Sequence, residues 1–547
     1  MAVINEDGIF NPKTLQLIYD LNSQIEKLPN VDTDRITSLA TESNIYGDEE
    51  GMIVEDFFDP YPPETQREAD KIKEAIDNFP LYQGSLVARD GTATLIVAEL
   101  IDEALAEQTY KNFMNLAAKA KLMDGEKIHV AGEGAITGYL GAYIDADAQR
   151  LNPIAGVIIT LILFLAYRTV RGTILPNVIV AATVTSAVGT MAAFGIAFYV
   201  VTNALIVILI GIAVADSIHV FSQYYEEYAK RPEADAREIV IRAMGEIWRP
   251  ITLTTLTTVA GFLGLYLASE MPPFRYLGLF SAIGVVVAWV YSLTLLPAAL
   301  ALLKVKPSEA FKVSPQGVVE VDGFGRLMDR LGTKVIAHSK SVVFAGLSLM
   351  VLGAYGATKV QVNDDRIDTF YEHEPIHIAD KIINSTMDGT NNLDIVIETP
   401  NPEDLFEPTN LQKIEALQEY VETLPTVGGS TSVADFIKQM YKSLNGSDDA
   451  YYIIPESKEL IAQLFLLYSA SGEPTDFEEE IDYDYQLANI RVNIDTGLYS
   501  ENKRVIDTVQ LYIDQNFNEE GVITATLSGR VNLNYNWVGN IGESHFL

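Results

Sequence analysis

The sequence predicts an α-helical polytopic membrane bundle carrying two α+β domains that stand outside the membrane and are related by internal duplication. Three observations lead there. The stretch from Leu151 to Leu303 is nearly all apolar, while both flanks are rich in Asp and Glu. The loops within the apolar stretch alternate between basic and devoid of Lys and Arg. The two flanks repeat one pattern of apolar and proline positions.

A spanning helix needs about 20 mainly apolar residues to cross a hydrocarbon core about 30 Å thick. Candidate spans run over Asn152–Ala166, extended upstream by a helix from Gly134, and over Ile174–Val200, Ala204–Tyr224, Ile251–Ala268 and Tyr276–Leu303. A further span, Val342–Ala357, follows a polar stretch. Arg168 and Arg171 lie between the first two spans. Lys230, Arg231, Arg237, Arg242 and Arg249 lie between the third and fourth, and Lys304, Lys306 and Lys312 follow the fifth. The alternate loops, Val201–Asn203 and Ser269–Phe274, contain no Lys or Arg. Basic loops stay on the cytoplasmic side, so the acidic segments are expected on the outer side. Ala234–Trp248 places Ile239, Val240, Ala243 and Ile247 on one face, the pattern of a helix lying along the membrane surface.

The repeat aligns Phe10-Asn-Pro12 with Phe406-Glu-Pro408. At that spacing Leu15, Ile18, Leu21 and Ile25 meet Leu411, Ile414, Leu417 and Val421, and Leu28-Pro29 and Val31 meet Leu424-Pro425 and Val427. A shared helix with its closing proline marks a duplicated unit. In the first copy, helices are expected at Pro12–Leu28, Glu64–Asn78 and Glu103–Lys121. Strands are expected at Arg35–Ala40, Ser85–Arg89, Thr92–Leu100 and Lys127–Ala131, with Asp90-Gly91 as a hairpin turn. Alternating elements of this kind fit ferredoxin-like sheets covered by helices on one face. In the second copy, strand Leu393–Glu398 and a spanning helix precede the shared helix, and Gly529 matches Gly132. The repeat therefore leads to the expectation of a spanning helix upstream of Met1 and a second helix bundle after Leu547.

The formal net charge of -36 excludes nucleic acid as a partner, because phosphates would be repelled. The absence of cysteine excludes disulfides, thiolate metal sites and a Cys nucleophile. Asp216 lies within the third apolar run, where an ionisable residue is costly and marks a pathway or proton relay by default. His219, three residues on, shares its helix face, and such a pair can pass protons or simply form a hydrogen bond. The fourth span carries Thr252, Thr254, Thr255, Thr257 and Thr258. Helix hydroxyls usually bond back to their own carbonyls or link helices, but Thr255 and Thr258 are also placed to polarise a partner of Asp216. His373-Glu374-Pro375-Ile376-His377 has the spacing of a zinc-peptidase helix, but Pro375 falls inside that helix and disfavours it.

Gly211-Ile-Ala-Val-Ala-Asp216-Ser-Ile-His219, followed by Phe221-Ser-Gln-Tyr-Tyr-Glu, resembles the fourth-helix signature of resistance–nodulation–division exporters. The resemblance is closest to the branch that shares a sterol-sensing-like helix block with Patched, the hopanoid transporters and the MMPL proteins. Ala213 and Ala215 stand where the family carries a second Gly and a first acid, leaving one acid, Asp216. Arg249–Phe262 resembles the family's fifth helix, and Pro273–Gly284 with Leu296-Pro-Ala-Ala-Leu300 its sixth. The resemblance implies five segments: 1–150, a first periplasmic porter-like domain lacking its start; 151–303, family helices two to six; 304–341, a cytoplasmic linker with an amphipathic helix; 342–358, helix seven; and 359–547, a second porter-like domain. It implies proton-driven export of hydrophobic or lipid-like molecules from the inner membrane of a bacterium. Together with the residues read above, the expected relay is Asp216 and His219, with Thr255 and Thr258 in support, and no cofactor or metal is expected. Expected partners are membrane lipids, the lipid-like substrate, a homo-oligomeric copy and the second bundle. A lipid-sensing regulator on the same helix block and a membrane-tethered zinc hydrolase are the competing readings.

Overall fold

The computed structural model describes residues 1–48, 51–58, 60–303, 323–360, 363, 365–472, 477, 479–517 and 523–546. Lys304, Lys306 and Lys312, counted above among the basic loops, lie outside them. Two compact units result: an α/β unit of Met1–Ala142 with Gln361–Leu547, and a helical unit of Tyr143–Val360.

The first part of the α/β unit runs β1 (Ala2–Asn5), α1 (Pro12–Ile25), β2 (Val31–Thr37), β3 (Ser43–Asp48), β4 (Gly51–Asp56), α2 (Gln66–Asn78), β5 (Ala93–Leu95), β6 (Val97–Leu100), α3 (Ala106–Lys119) and β7 (Glu126–His129). The chain then enters α4 (Glu133–Tyr167), α5 (Val170–Ala193), α6 (Asn203–Lys230), α7 (Ala236–Ala268), α8 (Pro272–Leu293), α9 (Leu295–Leu302), α10 (Gly323–Ala337) and α11 (Ser339–Ala357). It returns through α12 (Pro375–Thr386), β8 (Asn391–Glu398), α13 (Pro408–Glu422), β9 (Val427–Ser432), α14 (Val433–Leu444), α15 (Lys458–Ser471), β10 (Leu487–Ile494), α16 (Tyr499–Asn516), β11 (Thr524–Ser528) and α17 (Gly529–Phe546).

The helix shared by the two flanks forms for the same reasons in both places. Proline opens α1 and α13, where its missing N–H costs nothing. Leu15, Ile18, Leu21 and Ile25 are buried, as are Leu411, Ile414, Leu417 and Val421. Past the closing proline, Asn30 and Thr426 both turn the chain through the left-handed region, at φ 68° and 70°. Gly132 does so just before α4 and Gly529 at the first position of α17, at φ 101° and 78°. The second part forms one antiparallel sheet in the order β11-β8-β10-β9. In the first part, β7-β1-β5 form one antiparallel sheet and β6-β2 a separate pair. Only Ile96 separates β5 from β6.

Between these shared elements the two parts differ. The first carries the β3–β4 hairpin and α2; the second carries α14 and α15. The hairpin docks on α14: Gln439 Nε2 and Ser443 Oγ both donate to the Ile45 carbonyl, at 2.7 and 3.0 Å. The expected strand Ser85–Arg89 does not form. Val87 makes only isolated bridges to Gln83 and Thr94, because the segment turns after a short 3-10 helix at Pro80–Tyr82.

Among the described residues, six helical stretches are long and apolar enough to cross a membrane: Glu133–Tyr167, Val170–Ala193, Val200–Lys230, Ala236–Ala268, Pro272–Leu302 and Ser339–Ala357. The expected surface helix Ala234–Trp248 is corrected. It is continuous with the following span in α7, with Pro250 inside the helix. Ile239, Val240 and Ala243 are buried against Tyr167, Tyr224 and Leu300, so protein covers the face assigned above to the membrane surface.

Candidate functional site

Among the described residues, the helical unit has two separate apolar clusters. One gathers Ile179 from α5, Val220, Phe221 and Tyr224 from α6, Ile251 from α7, and Leu296 and Leu300 from α9. The other gathers Ala187 and Met191 from α5, Leu205 and Leu209 from α6, and Leu277, Phe280 and Val285 from α8. Between them the buried residues are small or polar. On α5 the only buried residue between Ile179 and Ala187 is Thr183. On α6, Ala213, Asp216 and Ser217 stand between Leu209 and Val220. On α8, Ala288 and Ser292 follow Val285. On α7, Thr255 is the next buried residue after Ile251. A polar layer therefore interrupts the core.

The register of α6 on α8 agrees. At Gly284 a Cβ would lie 2.5 Å from the methyl carbons of Leu209, so the helices touch there backbone to side chain. Helices α6, α7 and α8 are joined by short turns, so α6 and α8 run in the same direction. Eight residues on from that contact, about 12 Å along each helix, stand Ser217 and Ser292. Helix α5 joins through Ser186 Oγ, 3.0 Å from Tyr291 OH; Thr183 lies one turn from Ser186.

Asp216 is 6% exposed, and its Oδ2 has no hydrogen-bond partner. Leaving a buried carboxylate unpaired is costly. Glu227, on the same helix, instead pairs with Lys230 Nζ at 2.7 Å. His219 is exposed on α6, and no hydrogen bond links it to Asp216. The structure therefore separates the two residues that the sequence placed on one face: the offset of three residues leaves one inside the core and the other outside.

The threonines of α7 divide as well. Thr252, Thr254, Thr257 and Thr258 donate to carbonyls one turn back in their own helix. Thr258 is half-buried, and its bond to the Thr254 carbonyl is 2.8 Å. Thr255 is buried and makes no such bond. Of the two threonines singled out from sequence, Thr255 lies in the polar layer and Thr258 outside it. Sequence reading missed Thr183, Ser217 and Ser292. A single hydroxyl in an apolar run barely changes hydropathy, and only the packing of three helices brings these together.

The His373–His377 segment, in the α/β unit, does not form the helix that zinc peptidases need. Helix α12 starts at Pro375, and Glu374 is its N-cap. His373 lies before the helix, stacked on Tyr371, whereas His377 Nδ1 is 3.3 Å from the Ile367 carbonyl. Glu374 accepts a hydrogen bond from Tyr139 OH. Among the described residues no group of three or more His, Asp or Glu is arranged to hold a metal ion.

Comparison with known proteins gives one family, MMPL, whose model matches residues 32–329, more than half of the chain. Similar proteins include the probable transport protein MmpL12 of Mycobacterium tuberculosis, 23% identical over 353 residues that make up 62% of this chain and 30% of that protein. The hopanoid transporter HpnN of Burkholderia multivorans is 26% identical over 294 residues, 53% of this chain and 31% of HpnN. The probable trehalose monomycolate exporter MmpL3 of Mycobacterium leprae is 28% identical over 197 residues, 35% of this chain and 20% of MmpL3. The chain thus spans about a third or less of the length of these relatives.

Proposed function

The chain belongs to the MMPL family, and on that premise we propose that it is part of a proton-driven exporter of hydrophobic or lipid-like molecules in a bacterial inner membrane. Asp216 takes up and releases the proton. The observation that carries this reading is the buried Asp216 carboxyl, unpaired at Oδ2 in the polar layer of the helical core. A structural carboxylate at that depth is expected to have a compensating cation, whereas a relay group must be free to gain and lose its proton. The names of relatives that carry hopanoids and trehalose monomycolate support a lipid-like cargo.

In this reading the loops with Arg168 and Arg231 face the cytoplasm, and the α/β unit stands on the outer side as the substrate path. Its two parts are one ferredoxin-like unit duplicated. Matching strand orders support this, with β7-β1-β5 and β6-β2 answering to β11-β8-β10-β9. So do the left-handed residues at matched places, Asn30 with Thr426 and Gly132 with Gly529.

The test is Asp216→Asn in the intact protein, reconstituted in vesicles with an imposed proton gradient. A dansyl-labelled phosphatidylethanolamine reports export and pyranine reports proton entry. The variant is expected to insert normally and to lose both signals. An Asn variant that exports at the original rate and still depends on the gradient would remove Asp216 as the relay. Normal insertion with neither export nor proton entry in the unmutated protein would favour a lipid-sensing regulator.

A further inference from the structure

Hydroxyls in this bundle have a default, which is to bond back to the preceding turn of their own helix. Thr160, Thr173, Thr190 and Thr294 do so, as do four of the five threonines of α7. Thr183, Ser217 and Ser292 do not. Each is fully enclosed, and each hydroxyl oxygen is buried without a hydrogen-bond partner. Buried polar groups left this way are few in folded proteins and need a reason. The three come from three helices, α5, α6 and α8, and lie where the fully buried side chains of the two apolar clusters give way to small and polar ones. The half-buried Val214, Ile218, Trp289 and Tyr291 stand at the margin of the first cluster. Asp216 Oδ2, on the same stretch of α6, is also unpartnered. Ser281, a fourth such hydroxyl, sits among the residues of one cluster, away from this layer.

We propose that Thr183, Ser217 and Ser292 are positioning residues that hold water against Asp216 and conduct the proton to and from its carboxylate. This rests on the reading of Asp216 as the relay. A bound water in a protein core takes two to four polar partners, and the layer supplies them. The small side chains Ala213 and Ala288 flank it on α6 and α8. A hydroxyl both donates and accepts. It can pass its hydrogen to a carboxylate oxygen while taking one from a water that carries the incoming proton as hydronium, so the serine or threonine and the water end unchanged and Asp216 ends neutral. The reverse transfer restores the carboxylate and returns the proton to water. Hydroxyls tied to their own helix carbonyls would be committed elsewhere, which is why the exceptions matter.

The experiment uses the intact protein in lipid membranes and reads infrared difference spectra between low and high pH. The carboxyl stretching band of protonated Asp216 is the signal that disappears in Asp216→Asn. Its frequency rises when the carboxyl loses hydrogen bonds. Ser217→Ala, Ser292→Ala and Thr183→Val are each expected to raise that frequency and to slow gradient-driven proton entry about tenfold, the effect of losing one hydrogen bond to a charged group. Ser292→Thr, which keeps the hydroxyl, should restore both. A role in packing alone would leave the band in place. If Asp216→Asn stops proton entry while the three hydroxyl variants leave band and rate unchanged, this proposal fails and the relay reading stands. If Asp216→Asn itself keeps the original rate of proton entry, the relay reading fails and this proposal with it.

Discussion

Asp388 in the α/β unit and Asp216 in the helical unit are buried to the same degree, 9% and 6% exposed. Their surroundings differ. Arg89 Nη2 donates to both oxygens of Asp388, at 3.1 and 2.9 Å, and Nε reaches Oδ1 at 3.3 Å. Glycines make room for the carboxylate: a Cβ on Gly84 or Gly429 would fall 2.2 Å from its oxygens. Among the described residues, Asp216 has no such cradle and no ion-pair partner. Lys438 between Asp435 and Glu415, and Asp380 bonded by Asn384 and Thr390, follow the Asp388 pattern. Burial alone therefore does not identify a working group. Burial compensated by a fitted partner marks a structural group, and the proposed relay role of Asp216 rests on burial without one.

The strongest way to break this comparison is Arg89→Met. It leaves the Asp388 carboxylate enclosed and uncompensated, and the α/β unit is expected to lose about 2–3 kcal/mol, less than for a fully buried pair because Arg89 is itself largely exposed. Burial already raises the Asp388 carboxyl above its usual range, and the Arg89 charge and hydrogen bonds oppose that rise. Without Arg89 the folded form should hold the proton to still higher pH. Its stability is then intact below the ordinary carboxylate range and falls as pH rises through the raised value. Urea unfolding should show the deficit shrinking towards pH 4, and Arg89→Met with Asp388→Asn should recover most of it. A deficit independent of pH would mean that packing, and not charge, is lost.

Glu480 gives the next largest effect. Its residue is half-buried but its carboxyl is enclosed. Burial first, then the charges of Glu479 and Glu42, push it up to about 8 from 4.5, against the pull of Arg491. Between those values the unfolded chain is ionised and the folded chain is not, so stability should fall steadily from about pH 4.5 to pH 8. Glu480→Gln should flatten that slope and raise the unfolding midpoint at pH 8 while leaving it alone at pH 4.5. An unchanged slope would place the titration on another group. Asp216→Asn, by contrast, should change stability by less than about 1 kcal/mol, since no partner is stranded. A large loss in thermal unfolding would show that the Asp216 carboxyl is structural after all.

How much of this was legible in the sequence follows from where the signals lie. The spanning helices were legible because about 20 apolar residues in a row are hard to bury otherwise. The α1 and α13 helices were legible because Pro12 and Pro408 open the same apolar period. Asp216 stood out as the acid in an apolar run. The β3–β4 hairpin was not read, since its pairing is decided by docking on Gln439 and Ser443, almost 400 residues away. Ser85–Arg89 looked like a strand because its turn signal, Asp90-Gly91, is real, but the residues before it make only isolated bridges. His219 and Thr258 matched Asp216 and Thr255 in spacing. Which of each pair points inward depends on the neighbouring helices, and spacing along one helix does not specify that.

The smallest effect is expected at His219, and it sharpens the comparison most finely. His219 is a titratable group one turn from Asp216, so sequence alone makes it the natural second station for a proton. In the structure it is exposed, whereas the hydroxyls of Thr183, Ser217 and Ser292 are enclosed beside the same apolar clusters as Asp216. An exposed side chain with no bond to the carboxylate neither orients it nor changes its desolvation. His219→Gln should therefore leave stability within about 0.5 kcal/mol, as for most surface substitutions. Gradient-driven proton entry should stay within about twofold, since no hydrogen bond to the relay is lost. Pyranine fluorescence in proteoliposomes, with Asp216→Asn as the zero and Ser292→Ala as the intermediate, sets the scale. If His219→Gln falls to the level of Asp216→Asn, the proton leaves by the exposed flank of α6 and the enclosed hydroxyls are not its path.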